Sequence, residues 1–250
     1  MTQLNGKIAL IVGGSRGLGR TIASAYADAG AHVAIASRSL DSLTEVAQLI
    51  RAKNRRAFIF EMDVTDSESV AKMIDAVNAE FGRIDILVNS AGVAWVERAD
   101  SMSDGTWKWM MDTNLTGTFY CCREALRVMI PQKSGCIINL ASVAGSRAIS
   151  GLSAYSATKG GIIMFTKTLA LENIRHNIRV NALAPGYFRT DMNAATLDDP
   201  QAGPKLLQLI PMRRAGEPEE INGLAVYLAS DQASYVTGEV FYISGGMTAQ

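Results

Sequence analysis

Cysteine is scarce, at three in 250 residues, and histidine scarcer, at two. Cys121, Cys122 and Cys136 are odd in number and lack metal-ligand spacing, which argues against a disulfide scaffold or a thiolate metal centre and suits a reducing compartment. The adjacent Cys121 and Cys122 read as core or interface packing. His32 opens an apolar run and His176 sits in a turn, so both read as structural rather than acid/base groups. Net charge is absent too, with 24 basic against 24 acidic residues. Such a balance gives no global field to attract nucleic acid or an anionic membrane. No apolar run approaches the roughly 18 residues of a membrane span. Ile8–Val12 is too short for a signal-peptide core and passes directly into a glycine loop. The expectation is a soluble cytoplasmic protein with no metal, nucleic-acid or membrane partner.

What is present is apolar sequence, 48% of the chain, enough for a substantial core. Short apolar runs alternate with segments of helical period. Strands are expected at Ile8–Val12, His32–Ala36, Ala57–Met62, Ile84–Asn89, Cys136–Leu140, Ile178–Ala184 and Glu239–Ile243. Helices are expected from the glycine loop to Ala29 and over Asp41–Lys53, Ser67–Phe81, Trp107–Met129, Tyr155–Asn173 and Pro218–Ala229. Nearly continuous apolar strands alternating with helices predict an α/β fold: one Rossmann-type domain over residues 1–250, a doubly wound parallel sheet of about seven strands with helices on both faces. The polar segment Asp191–Ile210, interrupted by Pro200, Gly203 and Pro204, stands apart as irregular. The Trp107, Trp109, Met110 and Met111 cluster reads as helix core or subunit interface.

Between the first strand and helix runs Gly13-Gly14-Ser15-Arg16-Gly17-Leu18-Gly19. Glycines at such a turn let backbone N–H groups approach a pyrophosphate at the helix N-terminus. The end of the second strand selects between dinucleotides, because an acidic residue there binds the ribose hydroxyls of NAD. Here the position holds Ser37 followed by Arg38. A hydroxyl and a guanidinium suit a 2′-phosphate, with Arg16 closing from the glycine loop. The cofactor expected is NADP(H) in preference to NAD(H).

Tyr155 and Lys159 are four residues apart, hence on one helix face. Ser142 follows the strand Cys136–Leu140, and Asn89-Ser90-Ala91-Gly92 follows the strand before it. Both lie at carboxyl ends, where open parallel sheets bind ligands. Asn114 lies in the long helical stretch between.

In this order and spacing the motifs resemble the short-chain dehydrogenase/reductase family over essentially the whole chain, in particular its 3-oxoacyl-[acyl-carrier-protein] reductase and gluconate 5-dehydrogenase-like members. The resemblance implies a glycine motif at Gly13, Gly17 and Gly19 and an adenine-side pair at Asp63-Val64. It implies a cofactor-bordering segment at Asn89, Ala91 and Gly92, and catalytic Asn114, Ser142, Tyr155 and Lys159. It puts the nicotinamide beside Pro185-Gly186, with Phe188 and Thr190 in contacting positions. Tyr155 and Lys159 thereby also belong to the cofactor site, and residues 191–210 become a substrate lid. Val12 departs from the family's usual Thr, Ser90 from its second Asn, and Ser244 from a common Asp before Gly245-Gly246. None of these carries a proton or a hydride.

The expected reaction interconverts a ketone or aldehyde and an alcohol by hydride transfer, with Tyr155 as acid/base. A free phenol titrates near pH 10, too high for neutral-pH work. An ammonium at ~5 Å in an effective dielectric of ~20 favours phenolate by about 3 kcal/mol, roughly two pKa units. Ser142 would orient and stabilise the substrate oxygen. Asn114 would hold a water through which Lys159 recovers its proton.

Leu197, Leu206, Leu207, Leu209 and Met192 in the lid, with Trp95 and Val96, predict a partly apolar pocket. The substrate is a small carbonyl compound or alcohol of 3-oxoacyl type, or alternatively a sugar acid or polyol. A third reading is a non-catalytic dinucleotide sensor on the same fold. Arg123, Arg127, Arg175 and Arg179 are the candidates for docking a carrier-bound substrate. Relatives imply a homotetramer, with Leu126, Met129, Phe165 and Leu169 as candidate interface residues.

Overall fold

The computed structural model describes residues 3–249. Seven strands form one sheet: β1 (Ile8–Val12), β2 (His32–Ser37), β3 (Ala57–Glu61), β4 (Ile86–Asn89), β5 (Gly135–Leu140), β6 (Ile178–Pro185) and β7 (Val240–Ile243). Their order is β3-β2-β1-β4-β5-β6-β7, and every pairing is parallel. The order in which successive strands are added reverses between β1 and β4, so a crevice opens at their carboxyl ends. There Val12 pairs with Asn89, and Asn89 with Asn139.

Nine α-helices flank the sheet among the described residues: α1 (Gly17–Asp28), α2 (Leu40–Ala52), α3 (Ser67–Phe81), α4 (Asp104–Met110), α5 (Gly117–Gln132), α6 (Ser153–Asn173), α7 (Ala194–Asp198), α8 (Ala202–Gln208) and α9 (Asn222–Ala229). Successive strand residues point to opposite faces, and the core divides accordingly. Ala9 and Ile11 of β1 pack with α1, α2 and α9, whereas Leu10 and Val12 pack with α3, α5 and α6. Both faces are covered, which is why the strands carry apolar residues without polar alternation. All three cysteines are buried thiols, as the packing reading expects, and burial pushes Cys121 up to about 12.

Several boundaries differ from the sequence reading. The helix expected over Trp107–Met129 is three pieces: α4, a π-helical turn at Met111–Thr116, and α5. The segment 191–210 is not irregular, since α7 and α8 occupy most of it. Pro218–Ile221 forms a 3₁₀ turn ahead of α9, because Pro218 and the reciprocal bonds of Glu217 and Glu220 cap that start. β4 starts at Ile86, two residues late, because Asp85 is turned to accept from Ile8 N at 2.8 Å and to pair with Arg83. Among the described residues no helix is long and apolar enough to cross a membrane.

Candidate active site

The glycine loop leaves β1 and opens α1 at the sheet's carboxyl edge. Gly13 has φ +79, a left-handed conformation, and a Cβ there would collide with Ala91 N. The loop therefore lies directly against the segment that follows β4. Arg16 occupies the N-cap of α1 in an extended conformation and its side chain caps nothing, so the first-turn N–H groups have no side-chain acceptor. Thr190 reaches over the same loop, its Cγ2 3.7 Å from where a Cβ on Gly17 would stand. Ser37 and Arg38 sit at the end of β2, with Arg38 exposed. Arg20 nearby pairs with Glu45, while Arg16 and Arg38 pair with no carboxylate among the described residues. Asp63 Oδ1 accepts from Thr65 N and Thr65 Oγ1, both at 2.9 Å, and Val64 is buried beneath Gly117 of α5. These features fit a phosphorylated dinucleotide: free N–H groups for a pyrophosphate and two unpaired guanidinium groups for a further phosphate.

The Asn89 side chain points inward from the end of β4. It is buried, and its amide donates to Asn139 Oδ1 at 2.9 Å and Cys122 Sγ at 3.2 Å, while Asn139 donates to Thr166 Oγ1 at 2.9 Å. This polar chain ties β4, β5, α5 and α6 together beneath the site. Ser90, Ala91 and Gly92 are what the β4 segment presents to the crevice. A Cβ on Gly92 would stand 3.4 Å from Asn114 Oδ1 and 3.7 Å from Lys159 Nζ, so two of the expected catalytic groups flank this glycine.

Asn114 is fully buried in the π-helical turn. Widened turns of this kind re-aim side chains and are frequent at functional sites. The Asn114 amide clamps Val93 from both sides, donating to Val93 O at 2.9 Å and accepting from Val93 N at 2.8 Å. The amide also donates to Thr158 Oγ1 at 3.1 Å, and Thr118 Oγ1 donates to the main-chain carbonyl of Asn114 at 2.6 Å. The side chain thus holds the β4 segment to α6, and only the second lone pair of its carbonyl is left for a water.

Ser142 follows β5 and caps the 3₁₀ turn Val143–Gly145, accepting from Ala144 N at 3.1 Å. That turn packs tightly on α6: a Cβ on Gly145 would lie 2.7 Å from the carbonyl carbon of Lys159. Ser142 and Tyr155 are thereby brought side by side. Burial pushes the Tyr155 phenol above its ordinary range; the adjacent Ser142 hydroxyl opposes the rise and the Tyr187 phenol adds to it. Lys159 donates from Nζ to Leu140 O at 2.7 Å, and Nζ stands 5.6 Å from the Tyr155 ring centroid. Burial lowers Lys159 to about 8.

The expected fall of the Tyr155 pKa is therefore corrected. Burial dominates both groups, the ammonium is held by a main-chain carbonyl of β5, and the phenol goes up instead of down. Helical spacing fixes the distance between the two residues but not the desolvation that each suffers.

Pro185 ends β6, and Gly186 packs on Ser244, a Cβ there standing 2.9 Å from Ser244 Cα. The Phe188 ring is buried against Gly216, which leaves its main chain rather than its side chain to meet a ligand. Val143, Ile210 and Met247 form a small apolar cluster with Tyr187, Leu206 and Leu207 against it. Leu206 and Leu207 of α8 thus face this side, whereas Met192 and Leu209 are exposed. Trp95 and Val96 are exposed at the rim, where Glu97 N donates to Gly151 O at 2.8 Å. Tyr187, Thr158, Asn139 and Met247 escaped the sequence reading. Only Tyr187 carried a signal, as the phenol inside the Pro185–Thr190 segment.

The expected docking and interface residues are largely committed elsewhere. Arg179 donates to Leu228 O at 2.7 Å, Ser230 O at 3.2 Å and Val236 O at 3.4 Å. Arg123 and Arg127 both bind the buried Glu124, and Arg175 donates to His176. Met129 and Leu169 are buried in the protein's own core, with Leu126 and Phe165 packed against it. The large exposed apolar residues of α5 and α6 are Phe119, Met164 and Leu171, and Trp107 and Trp109 of α4 are also exposed.

Residues 12–248 match a family model described as enoyl-(acyl carrier protein) reductase. The chain is similar to the 3-oxoacyl-[acyl-carrier-protein] reductase of Staphylococcus epidermidis, at 40% identity over 96% of this chain and 98% of the relative. It is 38% identical to the Escherichia coli enzyme of that name over 98% of each chain. Among solved structures, a short-chain type dehydrogenase/reductase from Mycobacterium marinum superposes with a TM-score of 0.94 at 39% identity, covering 100% of this chain and 98% of that one. A gluconate 5-dehydrogenase from Burkholderia cenocepacia, in complex with NADP and tartrate, superposes with a TM-score of 0.95 at 36% identity, covering 100% and 98%. On sequence, fold and site order together, the chain belongs to the short-chain dehydrogenase/reductase family of oxidoreductases.

Proposed function

We propose that the protein is an NADP(H)-dependent carbonyl reductase interconverting a ketone and a secondary alcohol, with Tyr155 as acid/base. The observation that carries this is the convergence of Ser142, Tyr155, Lys159 and Asn114 beside Gly92 at the carboxyl edge of β4 and β5. When bound, the reduced dinucleotide supplies a hydride to the carbonyl carbon. Its pyrophosphate would rest on the uncapped start of α1, its extra phosphate between Arg16 and Arg38, and its nicotinamide end beside Pro185–Thr190. Ser142 orients the carbonyl oxygen and stabilises the charge that develops on it. Tyr155 donates its phenolic proton to that oxygen. Lys159, as a buried ammonium near its own pKa, lowers the cost of the resulting phenolate and can pass a proton onward. A water on the remaining lone pair of the Asn114 carbonyl would link Lys159 to solvent.

The matched family model is described by reduction of a carbon–carbon double bond, but the relatives aligned over nearly their full length are named for reduction of a 3-oxo group, which favours the carbonyl. The NADP-bound neighbour supports NADP(H) over NAD(H), in line with the unpaired Arg16 and Arg38. A homotetramer burying the exposed Phe119, Met164 and Leu171 belongs to the same reading.

The test is Tyr155→Phe, assayed on a panel of ketones, sugar acids and 3-oxoacyl thioesters by NADPH absorbance. Turnover should fall by about three orders of magnitude or more, while fluorescence titration shows NADPH still bound and bound more tightly than NADH. Wild-type turnover in the variant would remove the phenol from the mechanism.

A further inference from the structure

We propose that Arg147 is the anchor for a carboxylate on the substrate, so that the preferred carbonyl compound is an oxo acid rather than a neutral ketone or thioester. The inference rests on the active-site reading above and deepens it by naming the substrate class.

Arg147 follows the Val143–Gly145 turn that begins at Ser142, and its main-chain N–H donates to Val143 O at 2.8 Å. Its backbone is therefore fixed to the structure that positions Ser142. The side chain is half-buried and donates from Nη1 to Met247 O at 2.7 Å. Met247 belongs to the apolar cluster of Val143 and Ile210, against which Tyr187 packs. The guanidinium thus lies at the edge of the apolar patch that adjoins Ser142. Tyr187 feels it, since Arg147 works against the rise that burial imposes on that phenol, and Tyr187 in turn acts on Tyr155. One chain of neighbours runs from the cation to the acid/base phenol.

Among the described residues the charge on Arg147 meets no acidic partner. Arg189 and Arg214 on the lid side are tied to Asp198 at 2.8 Å and Glu220 at 2.6 Å, whereas Arg147 has no carboxylate partner among the described residues. A guanidinium has five N–H donors, and a single main-chain acceptor leaves most of them unused. A partly desolvated cation favours an anion, and the planar fork matches a carboxylate in two parallel hydrogen bonds. The apolar cluster beside it suits the carbon chain between that carboxylate and the carbonyl. Neither a neutral ketone nor a thioester offers the charge this corner lacks.

The experiment compares short oxo acids of increasing ketone-to-carboxylate spacing, each against its own methyl ester, in the wild type, Arg147→Gln and Arg147→Lys. In the wild type at least one acid should exceed its ester in kcat/KM by about tenfold or more. In Arg147→Gln that ratio should collapse towards unity through the KM of the acid, and Arg147→Lys should restore part of it. Because the ratio is taken within one variant, damage to the fold cancels. The same acids should raise the Tm of the NADP-saturated wild type and not that of Arg147→Gln, whether or not they turn over. A wild-type enzyme that neither prefers nor is stabilised by any acid, or a ratio unchanged in Arg147→Gln, overturns the proposal. Failure of the carbonyl-reductase reading would look different: no Tyr155-dependent turnover of acids, esters or thioesters alike.

Discussion

Lys159 shows how one residue carries opposed demands. Its ammonium is nearly enclosed, is held by a single carbonyl, and titrates at about 8 against an ordinary 10.5. Below pH 8 both folded and unfolded chains hold this proton, and the folded chain bears the cost of the buried charge. Between about pH 8 and 10.5 the unfolded chain holds more of it, so stability from this site rises with pH. Relative to Lys159→Met, the wild type should therefore gain up to about 3 kcal/mol across that window. Urea midpoints of the two proteins at matched pH measure it, and a constant difference from pH 7 to 10.5 would refute it. This desolvation cost matches the role proposed for Lys159, because a cation near its pKa can both stabilise phenolate and release a proton.

At the scale of elements, the break between α4 and α5 matters more than either helix. A continuous helix would leave Asn114 on regular spacing; the π-helical turn instead aims its amide at Val93 and Thr158, joining the β4 segment to α6. Asn114→Ala leaves both main-chain groups of Val93 without this partner, which should cost about 2–6 kcal/mol at one to three per unsatisfied group. Hydrogen exchange at the Val93 amide should accelerate selectively, and kcat should fall because α6 carries Tyr155 and Lys159. Unchanged Val93 protection would mean that the clamp is not what holds the segment. The segment 191–210 is sided in the same way, with α8 presenting Leu206 and Leu207 inward while Met192 and Leu209 stay at the surface.

Across the whole molecule, elements distant in sequence are tied by side chains that reach main-chain carbonyls. Arg179 on β6 reaches Leu228 O at the end of α9, then Ser230 O and Val236 O, where a cation also complements the carboxyl end of the helix dipole. Arg179→Gln should lower stability by about 2 kcal/mol, seen as a reduced urea midpoint at unchanged m. An unaltered midpoint would assign those carbonyls to solvent.

The parallel sheet, its flanking helices and the edge that carries the site follow from the chain itself, because periodicity and apolar continuity are local properties. So do the loop from Gly13 to Gly19 after β1 and the place of Ser142 after β5, whereas the grouping of Tyr155 and Lys159 with Ser142 comes from the order of motifs that resembles the family. Other features depend on what packs against what. The upward shift of Tyr155, the inward turn of Asn89, the burial of the Phe188 ring and the loss of Arg179 to the α9 terminus are all set by neighbours far away in sequence. Desolvation and hydrogen-bond satisfaction are sums over such neighbours. Tertiary structure alone decides whether an arginine is spent on three backbone carbonyls, like Arg179, or on one, like Arg147.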